Sequence, residues 1–511
     1  MNETATQLGN KRGGRPSRLG AATDTEFNQI STESRPKGTP IRFWILVTVN
    51  LICLVGLLTS TSYLMAGLWA IALMVTLMLI GISVGFALSI ASVIGLYHVS
   101  GSEAAVNVLT TAPFTASSSW SMSVLPMFIL MGILLGQSGI TQKLYRATNQ
   151  WFGWLPGGLA IGTTAAGSGL ASVSGSSIGM TYALGRAGIP EMLKYGYDRR
   201  VAVGSVLSGG LGGQLIPPSI AMVVYAGIAS VPVGPQLLAG VVPGLAIGFT
   251  YMLLFLVMGI VFPKLMGRGK DKDVVENVTW ADRFKSLAGL WGLPLIMIVL
   301  FGGLFTGYFT PTEAGAAAAF MSIVLALFYT RKNSPLQKLG GSLVMAAKST
   351  AGIFLILIGA EMLTRLLAVT GIAGYATDAI MAMGLSRFWF LMALIVLYIF
   401  MGMFFDTISM MLLTIPLLIP ALAEYDISLV WFGVFVVLLA EIGMITPPVG
   451  VLAYIVYNLT KRPAVNQGVK ITLNDVFVSI LWFLPFAFLF LILMIVWPEI
   501  ATWLPDISSA G

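Results

Sequence analysis

Apolar runs of about twenty residues recur along the chain with almost no charge inside them, and short polar segments separate them. A helix of roughly 20 such residues spans the ~30 Å hydrocarbon core of a bilayer. The pattern predicts crossing helices over 41–62, 64–80, 83–98, 121–139, 201–231, 236–263, 287–308, 312–330, 350–369, 430–458 and 476–497. The first three crowd into a stretch whose only charge is Arg42, with a tight break at Gly81-Ile82-Ser83. Residues 103–119 are small and polar and read as interfacial; an amphipathic piece with Lys143, Arg146, Trp151 and Trp154 follows the span at 121–139.

Two stretches are apolar without reading as ordinary spans. Residues 155–193 are crowded with Gly and Ser around Ser172-Val173-Ser174-Gly175-Ser176-Ser177 and have basic residues on both flanks, Lys143 and Arg146 before and Lys194, Arg199 and Arg200 after. Positive residues mark the cytoplasmic side, so this chain segment enters and leaves by one face: a re-entrant hairpin with its tip at 174–177. A second hairpin is predicted over 386–423, centred on Gly402-Met403-Phe404-Phe405-Asp406-Thr407; the acid excess around it (Asp378, Glu424 and Asp426 against Arg387) fits the opposite face.

Each hairpin is followed by an apolar run with two consecutive prolines, Ile216-Pro217-Pro218-Ser219 and Ile445-Thr446-Pro447-Pro448-Val449-Gly450. Paired prolines remove two backbone donors and push the first proline out of the helical region, so each helix must open there. Opened backbone at bilayer depth survives only beside a cavity or inside protein.

These features repeat. Gln137-Ser138-Gly139-Ile140 aligns with Val369-Thr370-Gly371-Ile372, Tyr197-Asp198 with Tyr425-Asp426, the first double proline with the second, and Gly81-Ile82-Ser83 with Thr310-Pro311-Thr312, all at nearly one offset. Each repeat (64–263 and 287–497) has an odd number of crossings, so the two face opposite ways, and 41–62 is an extra helix outside them. Residues 1–40, with Lys11, Arg12, Arg15, Arg18, Arg35 and Lys37 and no apolar run, read as a disordered cytoplasmic tail; the apolar core of 41–62 lies too far along to be a cleaved signal. The basic connector 264–285, the loop with Arg331, Lys332, Lys338 and Lys348, and Lys461, Arg462 and Lys470 fall inside. The tail 498–511, with Glu499 and Asp506, falls outside.

Composition narrows the function. With 57% hydrophobic residues, 10% charged and a mean hydropathy of +0.89, an all-α polytopic membrane protein is the only class that fits, and no sizeable soluble domain has room. One Cys (Cys53) and one His (His98) disfavour a disulfide framework or a His/Cys metal centre, and His98 reads as interfacial. No HExxH-like constellation suggests an enzyme, and the lone His98 is far in sequence from every polar tip. No basic and aromatic stripe offers a nucleic acid a surface, and the net charge of +7 belongs to loops and tail.

Each tip is expected to meet the broken helix of its own half, 174–177 against 216–219 and 402–407 against 445–450. Opened carbonyls together with the hydroxyls of Ser174, Ser176, Ser177, Ser219, Thr407 and Thr446 suit a hard monovalent cation, Na+, and helix N-termini facing the same cavity suit a carboxylate. Gly175, Gly213, Ile216, Pro217, Pro218, Gly402, Pro447, Pro448 and Gly450 supply the backbone of this site. Close packing is the competing reading of so much Ser and Gly. Asp406 at the second tip ranks first among intramembrane charges, then Glu441 in the broken helix. Arg186 is a further candidate for a substrate anion or simply lies near the surface. Glu361 and Arg365, one turn apart, read as a structural pair.

The runs SGSSIGMTYALGRAGIPEMLKYGYD, GGQLIPPSIAMVVYAGI, LAGVVPG, TPTEA, GMFFDT and EIGMITPPVG, in this order over about 64–497, resemble the large membrane (DctM-type permease) subunit of tripartite ATP-independent periplasmic (TRAP) transporters. The resemblance implies an elevator-type, Na+-driven carrier of an organic acid (a C4-dicarboxylate, sugar acid or sulfonate) in the bacterial inner membrane, served by a periplasmic binding protein and a small membrane subunit. It implies Na+ sites at the tips and broken helices, here Ser174, Ser176, Ile216, Pro217, Gly402, Thr446 and Pro447. The chain departs from the family at Ser83 and Val84, where a Pro-containing break is usual, and in its tail and extra helix. A stand-alone Na+-coupled carboxylate carrier of the same architecture is the alternative.

Overall fold

The computed structural model describes residues 40–267, 278–331 and 334–509. Residues 1–39 of the expected tail and 268–277 of the connector lie outside them. Among the described residues the architecture is all helical, apart from one isolated bridge between Tyr197 and Met266.

The chain opens with α1 (Pro40–Thr59), α2 (Tyr63–Ile80) and α3 (Val84–Ser118). Gly81, at φ 105°, ends α2: the Ile82 amide donates back to Leu77 O and the Gly81 amide to Met78 O, which ties off the last carbonyls. The polar stretch after the third run continues α3 as helix past a break at Gly101 (φ 84°, ψ −179°). His98 Nε2 lies 2.8 Å from Ser60 O, joining α3 to the turn between α1 and α2.

Next, α4 (Val124–Gln137) turns through 68° at Gly139 into α5 (Ile140–Phe152). The first hairpin is α6 (Gly158–Ser174) and α7 (Ser177–Lys194), and α8 (Arg199–Gly213) and α9 (Ile220–Ile228) are the two pieces of the first broken helix. The half closes with α10 (Val233–Val261). The second half runs through α11 (Trp280–Ala288), α12 (Gly292–Phe305), α13 (Pro311–Thr330), α14 (Pro335–Thr370) and α15 (Ile372–Ala382). It continues with the second hairpin, α16 (Arg387–Gly402) and α17 (Thr407–Glu424), then the broken pair α18 (Leu429–Ile445) and α19 (Val451–Thr460). A single turn α20 (Pro463–Asn466), α21 (Leu473–Val496) and α22 (Glu499–Ser509) complete it.

The repeat is visible residue by residue. Ile140 and Ile372 open α5 and α15 after left-handed Gly139 and Gly371, Ser177 and Thr407 open the second hairpin arms, and both Pro-Pro bonds are cis. One pairing shifts. Tyr195 and Tyr425 end the hairpin arms with nearly equal dihedrals, and Gly196 (φ 77°) matches Asp426 (φ 52°), so Tyr425 pairs with Tyr195 and not with Tyr197. The sequence motif Tyr-Asp had drawn the alignment two residues off the backbone turn.

By length and apolarity seven helices among the described residues can cross a membrane, or nine counting the bent pairs α4–α5 and α11–α12. One of the seven, α17, is a hairpin arm. The other expected crossings are α1 and the two broken helices, whose pieces are short because the prolines divide them. The core lies around those broken helices: α8 is buried at every residue over 201–213 and α18 at every residue over 431–445. A helix apolar all round belongs at the centre of a bundle, and α6, α7, α10 and α21 surround α8 as α9, α10, α16 and α17 surround α18. A separate apolar cluster joins α1, α2, α3 and α14. There α3 and α14 approach until a Cβ on Gly359 would lie 2.8 Å from Gly85 O, the small-residue contact common between membrane helices. Residues 499–509 are helical, with α22 seated on α10 through buried Ala501.

Candidate functional site

At the first tip, α6 ends at Ser174 and the chain turns at Gly175, φ 59°, where a side chain would also strike Ile220. Ser176 caps α7: its hydroxyl accepts from the Gly179 amide at 3.1 Å, and Ser174 Oγ lies 3.4 Å from the Ser176 amide. Such a cap satisfies one of the amides a helix start leaves open. Beneath the tip stands buried Gln214, just past the end of α8; turned to suit its neighbours, its side-chain oxygen accepts from the amides of Ser177 (2.7 Å) and Ser176 (3.2 Å). Past Pro217 and Pro218, Ser219 caps α9 by accepting from the Met222 amide at 3.2 Å. Gly213 has no room for a side chain, since a Cβ would lie 2.4 Å from Ser168 O.

The second tip starts its second arm at the equivalent residue but turns differently, since α16 ends at Gly402 and Phe405, the counterpart of left-handed Gly175, has no positive φ. Asp406 is exposed and caps α17, accepting from the amides of Ile408 (3.2 Å) and Ser409 (3.4 Å) and from the Ser409 hydroxyl. Gly402 lets α16 touch α18, a Cβ there falling 2.5 Å from Gly443 Cα. The Thr446 hydroxyl donates to Ile442 O at 2.6 Å. Where α18 opens before Pro447 and Pro448, the carbonyls of Ile445 and Thr446 converge on the space that a side chain at Gly450 (φ 49°) would fill, 2.9 and 3.0 Å from that position. Opened carbonyls of this kind are a donor set for a small hard cation.

The two tips meet on one carboxylate. Glu441, 2% exposed on α18, accepts from the Ser177 hydroxyl at 2.6 Å and from the Thr407 hydroxyl at 2.9 Å. Those donors are the first residues of α7 and α17, equivalent positions of the two repeats. Among the described residues Glu441 makes no ion pair, whereas Asp475 pairs with Arg199 and Arg200, and Glu361 with Arg365. A buried carboxylate without a counter-charge keeps its ionised form only through such hydrogen bonds.

Sequence reasoning ranked Asp406 above Glu441; the geometry makes Asp406 a helix cap and Glu441 the meeting point. Arg186 is not at the tips. It sits exposed nine residues along α7, about 13 Å down the helix axis, with its guanidinium 5.6 Å from the Tyr182 ring, to whose hydroxyl Arg462 donates. Arg365 pairs with Glu361 at 3.3 Å and donates to Thr111 Oγ1 at 2.8 Å, tying α14 to α3. Gln214 escaped notice in the sequence; its signal was a lone amide in the Gly-Gly-Gln-Leu run before the prolines.

The family described as tripartite ATP-independent periplasmic transporter, DctM component, matches residues 71–500. The C4-dicarboxylate TRAP transporter large permease protein DctM of Vibrio cholerae is 31% identical over 457 residues, covering 85% of this chain and 96% of its own. The sialic acid TRAP transporter permease protein SiaT of Haemophilus influenzae is 29% identical, covering 88% of this chain and 69% of its own. In fold, the chain is similar to the Alcanivorax borkumensis YdaH transporter, at a TM-score of 0.57 and 14% identity over 78% of this chain and 90% of that one.

Proposed function

The chain belongs to the DctM component family of tripartite ATP-independent periplasmic transporters, and from that premise we propose that it carries an organic acid across the bacterial inner membrane, driven by Na+. It is a transporter permease, not an enzyme. The observation that carries the reading is the meeting of two equivalent hairpin tips on buried Glu441, each tip beside a helix opened by paired prolines. Matched broken helices in two repeats are where secondary carriers bind their cargo.

In this reading α6–α9 and α16–α19 move as one block, and α2, α3 and α12–α14 form the scaffold. Ser174, Ser176 and the carbonyls of Ile216 and Pro217 hold Na+ in the first half; Gly402, Thr446 and Pro447 hold it in the second. The ion supplies a fixed positive charge beside the substrate's carboxylate. The first amides of α7 and α17 are engaged by Ser176, Gln214 and Asp406, so in this reading the substrate's charge is met by the ion and not by the helix ends. Relatives named for a C4-dicarboxylate and for sialic acid support a carboxylate cargo. A periplasmic binding protein and a small membrane subunit are the partners, with the N-terminus cytoplasmic and the C-terminus periplasmic; α1 is an addition beside the repeats.

The test is uptake of labelled organic acids into proteoliposomes, with and without a Na+ gradient, the binding protein and the small subunit. Uptake that needs all of them is expected and identifies the acid. Uptake by this chain alone would replace the tripartite reading with a stand-alone carrier, and uptake indifferent to Na+ would overturn the coupling.

A further inference from the structure

We propose that Glu441 is a positioning residue that forbids the two hairpin tips from releasing together. The inference concerns how the tips sense each other and does not depend on which ion or acid is carried. Its basis is one side chain with two oxygens and two donors: Oε2 takes the Ser177 hydroxyl of the first hairpin, and Oε1 takes the Thr407 hydroxyl of the second. The donors belong to different halves, so each tip's contact is felt by the other through a single charge.

The physical consequence follows from burial. Glu441 is 2% exposed and has no cation partner among the described residues, so these two hydroxyls are what offset its desolvation. When one tip lifts, the carboxylate keeps one donor and remains tolerable. When the second lifts as well, the buried carboxyl is left with no donor and must stay bare or take up a proton, and either way that step costs more than the first. Release of one tip therefore tightens the hold on the other. Such a device keeps one tip shut whenever the other opens, which a carrier needs if it is never to be open at both.

The first tip has a second holder that the second tip lacks. Gln214 accepts from the amides of Ser176 and Ser177, whereas Met444, the matching residue, offers only a sulfur 3.9 Å from the Thr407 hydroxyl. The second tip is accordingly the one that Glu441 controls more completely.

Amide hydrogen exchange of the full-length permease in nanodiscs tests this, because tip amides exchange when the tip lifts. In Thr407→Val, exchange at 174–180 is expected to slow by about tenfold, the scale of one hydrogen bond to a charged group. In Ser177→Ala, exchange at 405–410 is expected to slow likewise. In a Glu441→Met background neither substitution should alter the opposite tip by more than about twofold. Should Glu441→Met fail to fold, Glu441→Gln serves: it keeps the shape without the charge, and the same loss of cross-effect is expected. Faster or unchanged exchange at the opposite tip in both single variants would overturn the proposal, because a residue with a merely local structural role loosens its neighbours and tightens none.

Discussion

At the first hairpin the Ser176 hydroxyl caps the helix and Gln214 supports it from below. At the second the cap is the Asp406 carboxylate, with Met444 at the position of Gln214 and Glu441 at the position of Leu211. The starts of α7 and α17 and the turns before the broken helices coincide, but Gly175 at the first tip is left-handed (φ 59°) and its counterpart Phe405 is not, so the halves differ in charge and in the turn at the tip. Both carboxylates come from the second half, and the first half contributes hydroxyls and an amide. The comparison teaches that helix positions can be duplicated while the polar chemistry is divided, because a single buried carboxylate serves donors from both sides and a second would have none.

Putting a carboxylate into the first half is the severest way to break that division. Leu211 is 1% exposed on α8, and the donors that would satisfy a charge there are already engaged with Glu441 and Gln214. Leu211→Glu is expected to cost roughly 3–5 kcal/mol, the penalty of an uncompensated buried charge, read as a large fall in the thermal unfolding midpoint in detergent. A midpoint near that of the unaltered protein would mean that the first half has spare donors, and the asymmetry would need another cause.

The backbone side of the comparison is sharpened by two matched glycines. A Cβ on Gly213 would lie 2.4 Å from Ser168 O, and one on the equivalent Gly443 would lie 2.9 Å from both Gly402 Cα and Tyr398 O. Because these are backbone atoms, helices must separate to make room. Gly213→Ala and Gly443→Ala are each expected to destabilise by about 1–3 kcal/mol, the former more, despite the better helix propensity of Ala. Gly302→Ala, with open space around it, is the control and should be neutral or slightly stabilising. If one of the matched pair melts like the control, the halves are not packed alike.

Much of the fold was legible because its signals are local. Pro217-Pro218 and Pro447-Pro448 cannot continue a helix whatever surrounds them, and the all-helical architecture follows from apolar runs of bilayer length. Gly101 and the helical residues 499–509 were less legible: a single Gly in a polar stretch does not announce a break, and α22 is held by packing on α10. The site failed for a different reason. Glu441 reaches Ser177 across 264 positions of sequence, and no local pattern reports such a contact. Asp406 ranked higher because it stands at a predicted tip, yet an Asp just before a helix is also the ordinary capping residue.

That ambiguity sets the mildest test. Asp406→Asn makes the second tip as uncharged as the first while keeping an oxygen for the Ile408 and Ser409 amides. Asn caps about as well as Asp, so only the attraction between the carboxylate and the helix N-terminus is lost, about 0.3–1 kcal/mol. The unfolding midpoint should barely move, and uptake of the labelled acid should stay within about fivefold of the unaltered protein, the rate equivalent of a loss of that size. Uptake that collapses while the midpoint holds would give Asp406 a role beyond capping. The charge difference between the tips would then belong to transport itself, and the order of importance read from the sequence would be restored.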